Sequence, residues 1–215
     1  MIAVLDYGIG NLRSAEKALL HVGANARLVS DPDVAMSADA VVLPGVGNFG
    51  ACVEALRSCR LEEAVRETIR AGRPFLGICV GMQMLYEGSE ESPAIDGLGI
   101  LEGVVRRLPD DVKRPQMQWN RLDVRDRSNP LLAGVAPQPW VYFVHSYAAP
   151  DSAAVVATCD YGTEVAAMVA APSLWATQFH PEKSAAVGLA ILSNFADVVA
   201  KDAGLREPPP RRFSS

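Results

Sequence analysis

Pro74-Phe75-Leu76-Gly77-Ile78-Cys79-Val80-Gly81, followed by Met82-Gln83-Met84-Leu85-Tyr86, is the stretch that decides the reading. Residues 74–78 are a short apolar run opened by proline, the mark of a strand buried on both faces. Residues 82–86 read as helical. Between them, Gly77-x-Cys79-x-Gly81 leaves room only for a tight, strained turn. Such a turn pushes the central residue out at the C-terminal edge of a sheet, close to the next N–H and the start of a helix. A cysteine placed there gains from the helix dipole as a thiolate, and the backbone donors can hold an oxyanion. The competing reading is a buried structural cysteine, the common fate of a free thiol. The turn by itself does not separate the two.

Upstream, strand and helix signals alternate. The run 2–5 ends in Asp6-Tyr7-Gly8-Ile9-Gly10-Asn11, after which Leu12, Ala15, Leu19 and Val22 recur at helical spacing, with Asn11 placed to cap and Gly23 to stop. Residues 26–29 read as a second strand, and Asp31-Pro32 opens a short helix. Residues 40–43 form a third strand, broken by Pro44-Gly45-Val46-Gly47. Leu61, Ala64, Val65, Thr68 and Ile69 mark one face of a helix that Gly72 ends. Downstream of about residue 95 the pattern shifts to short strands at 104–108, 121–124, 141–144, 155–158, 165–169 and 174–179, which pair locally or extend the sheet on one side. A last helix follows Ser184, with Val187, Ile191, Phe195 and Val198 on one face. The expected fold is α/β: a twisted, mixed, mostly parallel sheet flanked by helices in one domain over residues 1–200. Residues 201–215, with Pro208-Pro209-Pro210, are expected to be a mobile tail.

Composition narrows the function classes. The chain has 215 residues, 20 Lys and Arg against 25 Asp and Glu, a net charge of −5 and a pI near 5.2. With no basic block, nucleic acid and membrane surfaces are not expected partners. The start lacks a basic leader, and no run approaches the ~20 apolar residues of a membrane span. Cys52, Cys59, Cys79 and Cys159 show no C-x-x-C spacing, so neither a disulfide framework nor a zinc site is expected, and a reduced cytoplasmic setting is.

Phe179-His180-Pro181-Glu182 supplies what a nucleophilic Cys79 would need. It follows a strand, so His180 also falls at a strand end. Glu182, two residues on, returns to the same side if the segment is extended, and Pro181 fixes φ between them. His180 then reads as general base and acid, with Glu182 accepting from the far ring nitrogen. Taken alone, His-Pro-Glu is as well explained by a surface ion pair. The chain order of nucleophile, histidine and then acid differs from the nucleophile, acid, histidine order of the α/β-hydrolases.

That order, with this turn, resembles the class I glutamine amidotransferases. Five stretches in collinear order carry the resemblance over residues 1–200: Asp6-Tyr7-Gly8-Ile9-Gly10-Asn11-Leu12, Pro44-Gly45-Val46-Gly47-Asn48-Phe49-Gly50, Gly77-Ile78-Cys79-Val80-Gly81-Met82-Gln83, Phe143-Val144-His145-Ser146-Tyr147 and Gln178-Phe179-His180-Pro181-Glu182-Lys183-Ser184. They are most similar to the branch serving imidazole glycerol phosphate synthesis. The resemblance implies glutamine hydrolysis through a glutamyl thioester on Cys79, with His180 and Glu182 completing a triad. It implies oxyanion donors at Val80 and at the Gly45-Val46 loop, and substrate contacts from Gln83, Ser146 and Tyr147. It implies no metal or organic cofactor. The partner it implies is a (β/α)₈-barrel cyclase, forming a heterodimer and making imidazole glycerol phosphate and aminoimidazole carboxamide ribotide. Asn11, Trp119 and Lys183 are the residues that would face it, Trp119 being equally readable as a core aromatic. His145 reads mainly as structural. The chain departs from the family at Gln116 and Gln118, where histidine and glycine are usual, close to the partner-facing stretch. The rival readings are a glutaminase serving anthranilate or GMP synthesis and a non-enzymatic regulatory subunit with a relic site.

Overall fold

The computed structural model describes residues 1–10 and 12–204, so Asn11 and most of the expected tail lie outside the described residues. The chain runs β1 (Ile2–Leu5), α1 (Leu12–His21), β2 (Ala26–Val29), α2 (Pro32–Met36), β3 (Ala40–Gly45), α3 (Phe49–Ser58), α4 (Leu61–Arg70), β4 (Phe75–Cys79), α5 (Val80–Gln83) and β5 (Gly88–Ser89). It continues through β6 (Val104–Arg107), β7 (Gln116–Arg121), β8 (Asp123–Val124), β9 (Trp140–His145), β10 (Tyr147–Ala148), β11 (Val155–Asp160), β12 (Glu164–Ala171), β13 (Leu174–Thr177) and α6 (Ala185–Asp202). The main sheet has the order β2-β1-β3-β4-β13-β12-β11-β8. Its β2-β1-β3-β4-β13 part is parallel, and β12, β11 and β8 extend it antiparallel on one side. Every residue of β1, β3, β4 and β13 is buried, as a parallel sheet covered on both faces requires. Helices α1 and α6 pack together, and α4 packs with α2 and α3, flanking the sheet. Two small sheets, β10-β6-β5 and β7-β9, complete the fold.

Several boundaries differ from the sequence reading. Strand β3 runs on through Pro44 and Gly45. Its pairing with β1 stops at Val42, so the N–H that Pro44 lacks faces no ladder on that side, while Pro44 and Gly45 stay in register with Ile78 and Cys79 on β4. Helix α3 is an addition: Phe49, Cys52, Val53 and Leu56 line its buried face, and Asn48 caps it through Oδ1, which accepts from the Ala51 N–H at 3.0 Å. The helix after the nucleophile begins at Val80 rather than Met82, because Cys79 itself makes the whole turn. The strand expected at 121–124 is divided: Arg121 ends β7, which starts at Gln116, and Asp123–Val124 is the separate β8. On α6, Val187 and Val198 are only half buried; the helix turns Gly188, Ile191, Leu192, Phe195 and Val199 inward, since Gly188 must lie against the Pro181 carbonyl.

The close approach of β3, β4 and α5 depends on Gly81. A Cβ at that position would stand 1.9 Å from the Leu43 carbonyl oxygen, a backbone atom that cannot move aside. Gly81→Ala is therefore expected to cost about 2–3 kcal/mol in urea denaturation. Gly88→Ala, with no atom within 4 Å of its added methyl, should stay within about 0.5 kcal/mol. Equal effects from the two substitutions would contradict this packing.

Candidate active site

Three neighbouring parallel strands end side by side. Gly45 pairs with Cys79 at the end of β3 and β4, and Thr177 pairs with Ile78 at the end of β13. The loop after β3, the turn after β4 and the segment after β13 therefore meet at one edge. Cys79 adopts φ 57° and ψ −113°, a conformation that side chains rarely occupy and that marks a functional constraint. Its sulfur lies 3.9 Å from the Val144 carbonyl and 3.8 Å from Nε2 of Gln178.

His180 follows β13 after Gln178 and Phe179. Its own N–H donates to the Tyr142 carbonyl at 3.0 Å, and its carbonyl accepts from the Ser184 hydroxyl at 2.6 Å. The Ser184 oxygen in turn accepts from the Tyr142 N–H at 3.0 Å. The backbone on both sides of the imidazole is thus pinned to β9. Glu182 reaches the ring differently from the extended segment the sequence suggests. Pro181–Lys183 is a single 3₁₀ turn with Pro181 at its first position, and that turn brings the carboxylate back onto the ring. The Nδ1–H donates to Oε1 of Glu182 at 2.7 Å. Nε2 is buried and without a hydrogen bond of ordinary geometry, on the pocket wall it shares with Cys79. Burial disfavours the charged ring, but the attraction of the neighbouring Cys79 and Glu182 side chains outweighs it and pushes His180 up to about 10.

A cavity of about 380 Å³, at the small end of the range for small-molecule sites, is lined by Val46, Gly47, Cys79, Val80, Gln83, Glu91, Pro115, Val144, His145, Ser146, Tyr147, His180 and Lys183. Of the expected substrate-contacting residues, Val46, Val80, Gln83, Ser146 and Tyr147 line it. Gly45 sits behind, with its α-carbon face against the Val80-Gly81 backbone. The NH₂ of Gln83 is committed to the wall: it donates to the Tyr147 carbonyl at 2.9 Å and to Oε1 of Gln178 at 3.0 Å. Gln178, fully buried, therefore links the Gln83–Tyr147 wall to the Cys79 sulfur, a role that its place in the motif left unread.

Glu91 also escaped the sequence reading, since a lone acidic residue in a loop carries no spacing signal. Its carboxylate accepts from the Phe49 N–H at 2.7 Å at the start of α3, and Glu91 lines the pocket. His145 is buried, with Nδ1 2.9 Å from the Tyr147 carbonyl and Nε2 2.8 Å from the Gln116 side-chain amide. Burial, with the charge of His180 adding to it and the Tyr147 carbonyl opposing, lowers His145 to about 4 and keeps it neutral. Gln116 faces the ring through its Oε1, and its NH₂ donates to the Cys159 sulfur at 3.8 Å. Gln116 thus holds a histidine that shapes the pocket wall. Trp119 is exposed and edge-on to Tyr142, not in the core, and it does not line the pocket.

Comparison with known proteins places this geometry. The class I glutamine amidotransferase family model matches residues 3–198. The chain is 50% identical over 206 residues to a protein of Methylococcus capsulatus named imidazole glycerol phosphate synthase subunit HisH, covering 90% of this chain and 94% of that one. It is 47% identical over 200 residues to the protein of the same name from Methanothermobacter thermautotrophicus, covering 93% and 99%. A crystal structure described as a glutamine amidotransferase superposes with a TM-score of 0.70 at 22% identity, covering 95% of this chain and 99% of that one, and so supports the fold.

The site's electrostatics give a direct test. His180, raised by its partners, stays protonated through neutral pH and loses its proton near pH 10, whereas an isolated imidazole does so near 6.5. Nuclear magnetic resonance of the ring nitrogens is expected to show this. Glu182→Gln, which removes one of the two partners' charges, should lower the midpoint by about 1–3 units. A midpoint near 6.5 in the unaltered protein would contradict the assignment.

Proposed function

The chain belongs to the class I glutamine amidotransferases, and from that premise we propose that Cys79, His180 and Glu182 hydrolyse glutamine and pass the ammonia to a (β/α)₈-barrel cyclase. It is a glutaminase subunit of imidazole glycerol phosphate synthase, working in histidine biosynthesis, and the relatives' names favour that enzyme over anthranilate or GMP synthesis. The observation that carries the residue roles is the meeting of a strained Cys79 and a Glu182-bound His180 in one pocket.

Cys79, as thiolate, attacks the side-chain carboxamide carbon of glutamine. The C=O electron pair moves to oxygen, held by backbone N–H groups of Val80 and the Gly45-Val46 loop. His180 gives its Nε2 proton to the departing nitrogen, the C–N bond breaks, and ammonia leaves a glutamyl thioester. His180, now neutral, takes a proton from the water that attacks the thioester. Glutamate departs and the thiolate–imidazolium pair is restored. Glu182 moves no proton; it keeps Nδ1–H oriented and stabilises the imidazolium. Glu91 supplies the negative charge that the substrate's ammonium group needs, and Ser146 and Tyr147 flank the amino-acid end.

The partner reading rests on the surface beside the pocket. On the β7-β9 ribbon, Met117, Trp119 and Trp140 are exposed, and Met117 pairs with Val144, which lines the cavity. An apolar, aromatic surface continuous with the mouth of the site suits a covering protein that keeps ammonia out of water. Lys183, exposed at the same mouth, is a candidate contact with it. No helix among the described residues is long and apolar enough to cross a membrane.

Ammonia release from glutamine should be slow for the purified chain and rise sharply with a barrel cyclase subunit and its nucleotide substrate. Cys79→Ala should abolish glutamine-dependent synthesis while ammonium still supports the cyclase. Full turnover without the partner would refute the coupling, and glutamine-dependent synthesis by the alanine variant would refute the nucleophile.

A further inference from the structure

The loop that follows β3 is tied at two points by side chains outside the catalytic pocket. Tyr7, just past the end of β1 and buried, donates its O–H to the Pro44 carbonyl at 2.6 Å. Cys52, fully buried on the inner face of α3, lies with its sulfur 3.3 Å from the Val46 carbonyl, to which its S–H donates. These carbonyls belong to the peptides immediately before and after the Gly45–Val46 peptide. That middle peptide carries the N–H which the proposed mechanism aims at the oxyanion. It has the catalytic pocket on one side. On the other, Gly45 and Val46 wall a cavity of about 10 Å³, roughly one water in size, together with His180 and Glu182, whose Oε2 is buried and unpartnered.

We propose that Tyr7 and Cys52 are positioning residues that fix the two ends of the Gly45–Val46 peptide and so set whether its N–H addresses the oxyanion. The inference rests on the glutaminase reading above. Both side chains must remain protonated to donate, and burial raises both, so neither ionises near neutrality. The loop is also seated from outside. A Cβ on Gly45 would stand 2.7 Å from the Gly81 nitrogen, and one on Gly10 would stand 3.0 Å from a methyl of Val46. Freed ends would let the N–H wander from the 2.7–3.1 Å range that an oxyanion donor requires.

Neither residue lines the pocket, so glutamine binding should be spared. A hydroxyl is the stronger donor and a thiol the weaker. Misplacement of a reacting geometry by about 1 Å costs up to about 100-fold. Tyr7→Phe is thus expected to lower partner-stimulated kcat by about 10- to 100-fold and Cys52→Ala by up to about 10-fold, with KM for glutamine nearly unchanged. Cys52→Ser, which keeps a donor, should restore most of the loss.

The deciding readout is alkylation of Cys79 by iodoacetamide. That displacement forms no oxyanion, so its rate should not change in any of the variants while kcat falls. Unchanged kcat in both Tyr7→Phe and Cys52→Ala would overturn the proposal. So would alkylation slowing in step with kcat, since the residues would then be acting on the nucleophile. If Tyr7→Phe fails to fold, the Cys52 pair decides by the same criteria. If the unaltered chain and its partner release no ammonia from glutamine, the functional reading falls and takes this inference with it.

Discussion

The parallel register of β3, β4 and β13 is the constraint on which the rest depends. Backbone pairing sets Gly45 beside Cys79 and Thr177 beside Ile78, so three loops far apart in sequence must begin at one edge of the sheet. A slip of one residue would turn each strand's buried faces about and break the set. The sheet resists such a slip because every side chain of the three strands is buried. The strain at Cys79 is then borne by the surrounding packing, above all by the seating of Gly81 against β3.

Two histidines share the pocket wall in opposite charge states, and their partners decide which is which. His145 meets a carbonyl and an amide, and burial leaves it neutral. His180 meets a carboxylate and the Cys79 sulfur, and their pull exceeds the penalty of burial. Because His180 is raised in the folded state, its contribution to stability is complete below pH 6.5 and fades as pH climbs through about 10. The charged histidine sits where proton transfer is needed, and the neutral one shapes the wall.

Much of this was legible in the sequence, for reasons that differ between elements. The apolar runs of β1, β3, β4 and β13 could be read because parallel strands are buried on both faces. Glu182 could be paired with His180 by proximity, but not the 3₁₀ turn that joins them, since two residues carry no periodicity. Strand β7 was obscured because its pattern is inverted, with polar Gln116 buried against His145 and Met117 and Trp119 turned outward. Helix α3 went unread, although Phe49, Cys52, Val53 and Leu56 mark one face at helical spacing and Asn48 stands as its cap. Glu91 and Gln178 act through contacts made across the chain, at 42 and 99 residues' separation, and no local pattern encodes those.

The central claim is that these strand ends make Cys79 the nucleophile of a thioester-forming triad. Acid quenching of the partner-stimulated enzyme during turnover of isotopically labelled glutamine, followed by peptide mass spectrometry, tests it most directly. The account predicts a labelled glutamyl adduct on the peptide carrying Cys79, and its disappearance in Cys79→Ala. An adduct on Cys52, Cys59 or Cys159, or ammonia release with no adduct at any cysteine, would contradict it.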